Sequence, residues 1–452
     1  MRRNRPIAPP ITVAAGENTG VRWHDHQLIA ALDLHGHPHV VSTLSQRRIV
    51  GAGHVPLDAL DEVISTLGGG APSSVDLVFD TSRLAMSPYA NAYSTLLAGR
   101  PLAGRRRSVA LLRFDPAQHP TYYAPRPSLP EAVAATVARI QRALTLAGCP
   151  ATPLSESELD AFDASIAASS RQRWTHMAPT ATDRLTDTTY SLDPNALSDA
   201  RLPELWSIRA DSVVLTLRRD RYGRWLGFVR VRAPRPPTHP PLPFLRTLPS
   251  QQGVASVMGR AVLATTGPRV VFDAVATPDL SVLPCGPDGQ ILGMTNNGDQ
   301  LVVPLTPAPG RVVAARLDAL YAEQQLLRSA ACGSHVTIIT TRPGRWAELA
   351  GPRITTIAPG DARLGQDATN TTADVHVYDQ LRAPTDPDTA SVSLSEIGSN
   401  TELHGQLILD QYDDMVAVTT GGRTEWIRAV VDPSEIPHLP SARRRTPVGA
   451  RR

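Results

Sequence analysis

Five histidines, His24, His26, His35, His37 and His39, fall within sixteen residues of one another. Neutral imidazoles at that density suit zinc or copper. No cysteine or HExxH helix accompanies them and most sit at turns, so exposed turn histidines are the better account. Asp386 and Asp388 form a DxD pair, the arrangement that holds a divalent cation against a nucleotide-sugar diphosphate, but they stand in an Ala-Pro-Thr-Asp-Pro-Asp-Thr loop of the kind any turn uses. Asp413 and Asp414 read as a polar turn before Met415, and Asp80–Pro88 follows a strand without an acid–base pair. The chain contains no lysine, so it has no Walker lysine, Schiff-base lysine or pyridoxal-phosphate anchor. Cys149, Cys285 and Cys332 are far apart with no CxxC spacing, which fits a reducing compartment and neither a disulfide framework nor a zinc knuckle. No GxSxG, HExxH or kinase motif occurs. No catalytic, cofactor-binding or metal residue is assigned, and no cofactor is expected.

The elements that would position any chemistry are clearest between Leu283 and Ile357. Two apolar runs, Gln290–Met294 and Gln300–Leu305, flank Asn296-Asn297-Gly298-Asp299, a hairpin signal because Asn and Gly tolerate positive φ. Leu317–Cys332 has helical spacing and Gly333 supplies its stop. His335–Thr341 reads as a strand buried on both faces, Arg345–Leu349 as a short helix and Ile354–Ile357 as another strand. This β-α-β-α-β order implies parallel strands with right-handed crossovers. Its loop Thr306-Pro307-Ala308-Pro309-Gly310-Arg311 is no phosphate cradle, because proline removes the amide donors.

Earlier in the chain, strands are expected at Val21–Trp23, Leu28–Leu34, Val40–Leu44, Val75–Phe79 and Ser108–Phe114. Helices are expected at Pro56–Leu67, at Glu131–Ala147 and at Leu154–Ile166, where Ser155 and Glu158 make a capping-box pattern. Trp206–Arg218 and Trp225–Arg232 alternate around Arg219–Gly223 as a hairpin, and the proline-dense Arg232–Pro249 must be an extended surface strap. Later strands are expected at Val375–Tyr378, Ser391–Leu394, Gln406–Leu409, Met415–Thr419 and Thr424–Val431. Trp206, Trp225, Trp346 and Trp426 sit in these elements and are read as core.

The string LPCGPDGQILGMTNNGDQLVVPL followed by LYAEQQLLRSAACGSHVTIITTRPGRWAEL resembles the second half of EccE, a component of type VII (ESX) secretion systems. GVRWHDHQLIAALDL, PLDALDEVI with VDLVF, and Glu204–Arg218 resemble the same family in the same order, over roughly residues 20 to 430. The resemblance implies a structural subunit of the secretion membrane complex, stabilising the channel at the cytoplasmic face of the inner membrane. EccD, EccB and the EccC ATPase would be its partners, with EccC supplying the energy. It also implies two N-terminal transmembrane helices. No run here approaches 18 apolar residues, so the expectation is a chain without its own anchor, or one beginning downstream of it. The alternatives are a nucleotide-sugar-dependent transferase using Asp386 and Asp388, and a cytosolic adaptor for secreted substrates.

At the scale of the whole chain, 452 residues with 42% hydrophobic content allow two or three domains with real cores. The expected fold class is α/β, in two mixed domains, the second with a partly parallel sheet. The expected divisions are a flexible basic N-terminus (1–19), an N-terminal domain (20–168), a polar linker or excursion (169–203), a C-terminal domain (204–433) and a disordered basic tail (434–452). Net charge of +3 gives no nucleic-acid footprint. The arginine tracts at Arg2, Arg3 and Arg5, at Arg105–Arg107, and at Arg443–Arg445 with Arg451 and Arg452 read first as solvated tails, with contact with anionic lipid headgroups as the alternative.

Overall fold

The computed structural model describes residues 11–445 apart from 17, 25, 36–40, 46–48, 52, 83–87, 98–103, 168–170, 180–184, 199–200, 262–282, 285–288, 306–311, 361–373 and 384–389. The fold is α/β; among the described residues it is built on two sheets of twelve strands each, the second partly parallel, with a further two-stranded pair. The chain divides into two compact units: Met1–His37, Gly53–Thr81 and Arg106–Gly286 form one, and Pro38–Ala52, Ser82–Arg105 and Pro287–Arg452 form the other.

In the first unit the main strands are β1 (Ile11–Ala15), β2 (Thr19–His24), β3 (Gln27–Leu34), β4 (Ser74–Ser82), β5 (Arg105–Phe114), β6 (Thr186–Leu192), β7 (Ser212–Asp220) and β8 (Trp225–Ala233). They pair in the order β1-β2-β3-β5-β4-β7-β8-β6. Side chains alternate across a strand, so each strand feeds two cores. Leu28, Ala30 and Leu32 join Leu77, Leu112 and Leu215 on one face, against helices α1 (Leu57–Thr66) and α2 (Leu129–Leu146). Ile29 and Ala31 join Val78, Leu111 and Val214 on the other, with Leu159, Phe162 and Ile166 of α3 (Glu156–Ile166). The capping box at α3 is formed as the sequence signals: Ser155 N donates to Glu158 Oε2 at 2.8 Å, and Glu158 N to Ser155 Oγ at 3.4 Å.

Three expectations are corrected here. The hairpin β7–β8 does not open a C-terminal domain, because β7 pairs with β4 and extends the first sheet. The expected linker 169–203 contains β6, seven residues paired with β8 from Thr186↔Ala233 to Leu192↔Gly227. The proline-dense strap is not purely extended surface either, since Leu245–Thr247 pairs with β6.

In the second unit the main strands are β9 (Gln290–Thr295), β10 (Gln300–Val303), β11 (Val312–Leu317), β12 (His335–Ile339), β13 (Ile354–Ile357), β14 (Asp374–Asp379), β15 (Ala390–Glu396), β16 (Leu407–Tyr412), β17 (Met415–Thr420) and β18 (Arg423–Arg428). They pair in the order β13-β12-β14-β15-β11-β16-β17-β18-β9-β10, then Ser42–Leu44 and Ile49–Val50. From β13 to β16 the pairs are parallel, and from β16 onward antiparallel. One face is apolar: Val336, Ile338, Val375, Val377, Val392, Leu394, Val416 and Val418 pack against Tyr321, Ala322 and Leu326 of α4 (Ala319–Ala331) and against Trp346.

Here too the expectations need adjustment. The strand that precedes α4 is β11, which the sequence reading left unassigned between the proline loop and the helix except for Leu317. β12 feeds the core from one face only, with His335 and Thr337 half-buried. The strand expected at Val40–Leu44 forms over Ser42–Leu44 and pairs both with β10 of this unit and with its sequence neighbour Ile49–Val50. Helix Pro88–Leu97, unforeseen, packs Tyr89, Tyr93 and Leu97 into a small core with Ile291, Val302 and Ala331. The tail read as disordered from 434 forms Ile436–His438 and Pro440–Arg445, with Glu435 and Leu439 buried. Trp206, Trp225 and Trp346 are buried as expected, whereas Trp426 is 47% exposed.

Candidate functional site

In parallel sheets, ligand-binding groups gather beyond the carboxyl ends of the strands. At that edge of the second unit, Thr340 follows β12, Asp379 closes β14 and Glu396 closes β15, while Arg342, Arg345 and Trp346 come from the turn and short helix after β12. Asp379 is buried and accepts three side-chain hydrogen bonds: Thr340 Oγ1 at 2.7 Å and Trp346 Nε1 at 2.9 Å on Oδ2, and Arg342 Nη2 at 2.7 Å on Oδ1. Glu396 accepts Arg342 Nη1 at 3.0 Å and also Arg345. Burial pushes the Asp379 carboxyl up, but the Trp346, Thr340 and Arg342 donors outweigh it and hold the group below its ordinary value. Glu396 is likewise held low by the two arginines against its desolvation.

Such an arrangement orients side chains and keeps both carboxylates ionised. It fits a brace better than a general base, which needs a raised pKa and an oxygen turned to a substrate proton.

A second buried polar centre lies between α4 and the C-terminal segment. Arg328 and Glu435, almost fully buried, form a bidentate pair with Nε–Oε1 at 2.8 Å and Nη2–Oε2 at 2.7 Å. Glu435 also accepts Gln324 Nε2 at 2.8 Å, the Asp432 amide at 3.0 Å and the Tyr89 hydroxyl. Arg328 Nη1 donates to the Ile291 carbonyl at 2.7 Å. Burial drives the Tyr89 and Tyr93 hydroxyls far above their ordinary pKa and lifts the Cys332 thiol to about 12, so Cys332 is an inert thiol.

In the first unit, Asp76 is fully buried and holds Arg113 (Nη2–Oδ2, 3.0 Å) and Arg218 (Nε–Oδ1, 2.5 Å). Burial alone would raise its carboxyl; the two guanidiniums reverse this and bring it to about 2.

Among the described residues, those singled out from sequence do not converge. His24 is buried in β2, His26 lies in the turn after it and His35 bonds Thr152 Oγ1 at 2.6 Å, while His37 and His39 fall outside the described residues. No group of three or more metal-ligating side chains gathers among the described residues. Asp386, Asp388 and Cys285 also fall outside them, as does most of the Asp80–Pro88 loop. Cys149 and Cys332 are buried thiols. Asp413 takes a positive φ of 53° in the tight turn between β16 and β17, as a polar turn residue can. A cleft of about 340 Å³ beside Asn18, Ser155, Glu156 and Asp160 opens at the start of α3, where the capping box already occupies helix amides.

Sequence reasoning missed Glu435, Arg328 and Asp76 as a class. The available signal was the run Glu323-Gln324-Gln325 with Arg328 inside an otherwise apolar helix pattern, since a polar helix face that is buried demands partners.

Residues 102–192 match the family described as "Putative type VII ESX secretion system translocon, EccE". The ESX-2 secretion system protein EccE2 of Mycobacterium tuberculosis (strain CDC 1551 / Oshkosh) is 24% identical over 381 residues, covering 79% of this chain and 67% of that protein.

Proposed function

Because the chain belongs to the EccE family of type VII (ESX) secretion components, we propose that it acts as a structural subunit of the secretion membrane complex, bracing the channel at the cytoplasmic face of the inner membrane. The observation that carries this reading is the reach of the similarity. It covers 79% of the chain, more than either compact unit holds, so both units take part in whatever the family fold is for. The buried charges are spent in the same direction. Asp76, Asp379 and Glu435 each tie together elements distant in sequence, which stiffens a surface that other proteins can grip.

EccD, EccC and EccB are the proposed partners, and the chain itself makes and breaks no covalent bond. Among the described residues no helix is long and apolar enough to cross a membrane. The test is affinity purification of the tagged full chain from detergent-solubilised envelopes. EccC and EccD are expected in the eluate; a chain recovered without them would overturn the proposal in favour of a free adaptor. Titration calorimetry with a UDP-sugar and manganese is expected to give no saturable heat, and binding that disappears in Asp388→Ala would point to an enzyme instead.

A further inference from the structure

Beyond β6 the first sheet continues into a short hairpin, in which Arg171–Gln172 pairs with Met177–Ala178 and Met177 pairs with Asp187 of β6. Its loop is Arg173-Trp174-Thr175-His176, closed by the Arg173 amide on the His176 carbonyl at 2.8 Å. Trp174 is 69% exposed, the most exposed of the six tryptophans, and Arg171, Gln172, Arg173 and Thr175 are exposed around it. An indole left in water forgoes the burial that usually keeps tryptophan inside. The main chain beneath it is nevertheless braced. The Ser250 amide donates to the Trp174 carbonyl at 2.7 Å, Gln172 Nε2 donates to the Ser250 carbonyl at 2.6 Å, and Gln172 Oε1 accepts the Gly253 amide at 3.0 Å. Ser250 itself has a φ of 63°, a left-handed conformation that a serine holds at some cost.

The charge around this tip has one sign. Residues 171–182 contain no acidic residue, and neither do residues 234–261, the stretch that supplies Ser250 and Gly253. Asp187, opposite Met177, is buried and held by Arg232 at 3.0 Å. Arg171 and Arg173 form no ion pair among the described residues, so their charge is open to an anionic partner. A four-residue loop cannot supply the roughly 800 Å² per side of a standard protein interface. A bilayer asks for less: an indole at headgroup level and guanidiniums on lipid phosphates. An apolar signal or a basic one alone binds a membrane only marginally, and the tip carries both. We infer that this hairpin tip, with Trp174 as its apolar anchor and Arg171 and Arg173 as its basic flank, docks on an anionic lipid bilayer. This inference rests on the proposed membrane-side function and names the surface that would touch the lipid.

The experiment is flotation of the purified full chain with phosphatidylcholine vesicles, with and without phosphatidylglycerol. The chain is expected to float with the anionic vesicles and to bind them about tenfold more tightly than the zwitterionic ones, with binding weakened by salt. Trp174→Ser, at an exposed position, is expected to lower anionic-vesicle binding about tenfold with an unchanged circular dichroism spectrum. Arg171→Gln with Arg173→Gln is expected to remove the preference for anionic lipid. Anionic vesicles with brominated acyl chains are expected to quench part of the wild-type tryptophan fluorescence and to leave Trp174→Phe unquenched, which places this indole in the lipid. A wild-type chain that ignores anionic vesicles, a Trp174→Ser variant that binds them as well as wild type, or quenching that persists in Trp174→Phe would overturn the inference. So would a concentration-dependent dimer in sedimentation that Trp174→Ser abolishes, since that would assign the tip to a second copy. Purification of the wild-type chain from solubilised envelopes separates the two claims. If EccC and EccD accompany a chain that fails to float, only the lipid contact is lost; if the chain floats but brings down neither, the structural reading fails and the lipid contact stands.

Discussion

Single residues in this protein matter most where a charge is buried with its partner. Asp76 is held at about 2 in the folded chain and would sit near 3.9 unfolded, so its folded pKa is depressed. A depressed carboxylate contributes stability that is complete above the unfolded pKa and is lost as pH falls toward the folded one. That places a loss of roughly 2 kcal/mol between about pH 4 and pH 2. Urea unfolding of wild type across that window should show the decline. Asp76→Asn should remove Asp76's share of that pH dependence and destabilise the first unit by about 3–5 kcal/mol at neutral pH, because Arg113 and Arg218 keep their charges without a counter-ion. Glu435→Gln should act likewise on the second unit by stranding Arg328, and Arg328→Met added to it should recover part of the loss, as read by the shift in urea midpoint. If the double variant were no more stable than the single, the buried-charge account of that pair would be wrong.

Among the elements, glycine positions separate two kinds of constraint. Gly289 leads into β9 at φ +87°, and a Cβ there would stand 2.3 Å from the Pro304 nitrogen, so Gly289→Ala meets both a left-handed backbone and a wall of main chain. Gly298 has nearly the same φ, +81°, in the β9–β10 turn, but open space around it. Gly289→Ala should cost about 2 kcal/mol or more and Gly298→Asn under about 1, since Asn tolerates positive φ; thermal unfolding of the two variants checks the contrast.

The same hairpin shows what was legible in the sequence. Asn-Asn-Gly-Asp named its turn, Ser155 and Glu158 named the start of α3, and the apolar run Leu28–Leu34 named β3. β6 was missed because Thr-Asp-Thr-Thr-Tyr-Ser-Leu shows no apolar period, yet its first five residues are buried. Their polarity is met by partners distant in sequence: Arg232 holds Asp187 at 3.0 Å, Thr186 donates to the Ala233 carbonyl at 2.8 Å, and Gln252 bridges the Thr189 backbone. The segment after 434 was missed for the related reason that Glu435 is anchored by a charge on α4 and not by an apolar stripe.

For the whole molecule, the long-range pairings explain why a boundary placed from composition fell in the wrong position. Polar 169–203 looked like a linker, whereas the first unit runs on to Gly286 because β7 and β8 complete its sheet. The second unit gathers Ser42–Leu44 and Pro88–Leu97 from within the first half of the sequence. Each unit therefore depends on chain segments contributed from both sides of the other, and neither can be excised as one continuous stretch.

The most direct test of the central claim is native electrophoresis of solubilised membranes from cells that carry or lack the chain, probed for EccC and EccD. The high-mass complex is expected to be depleted when the chain is missing and to return when the full chain is supplied. A complex of undiminished amount and size in the cells that lack it would contradict the account.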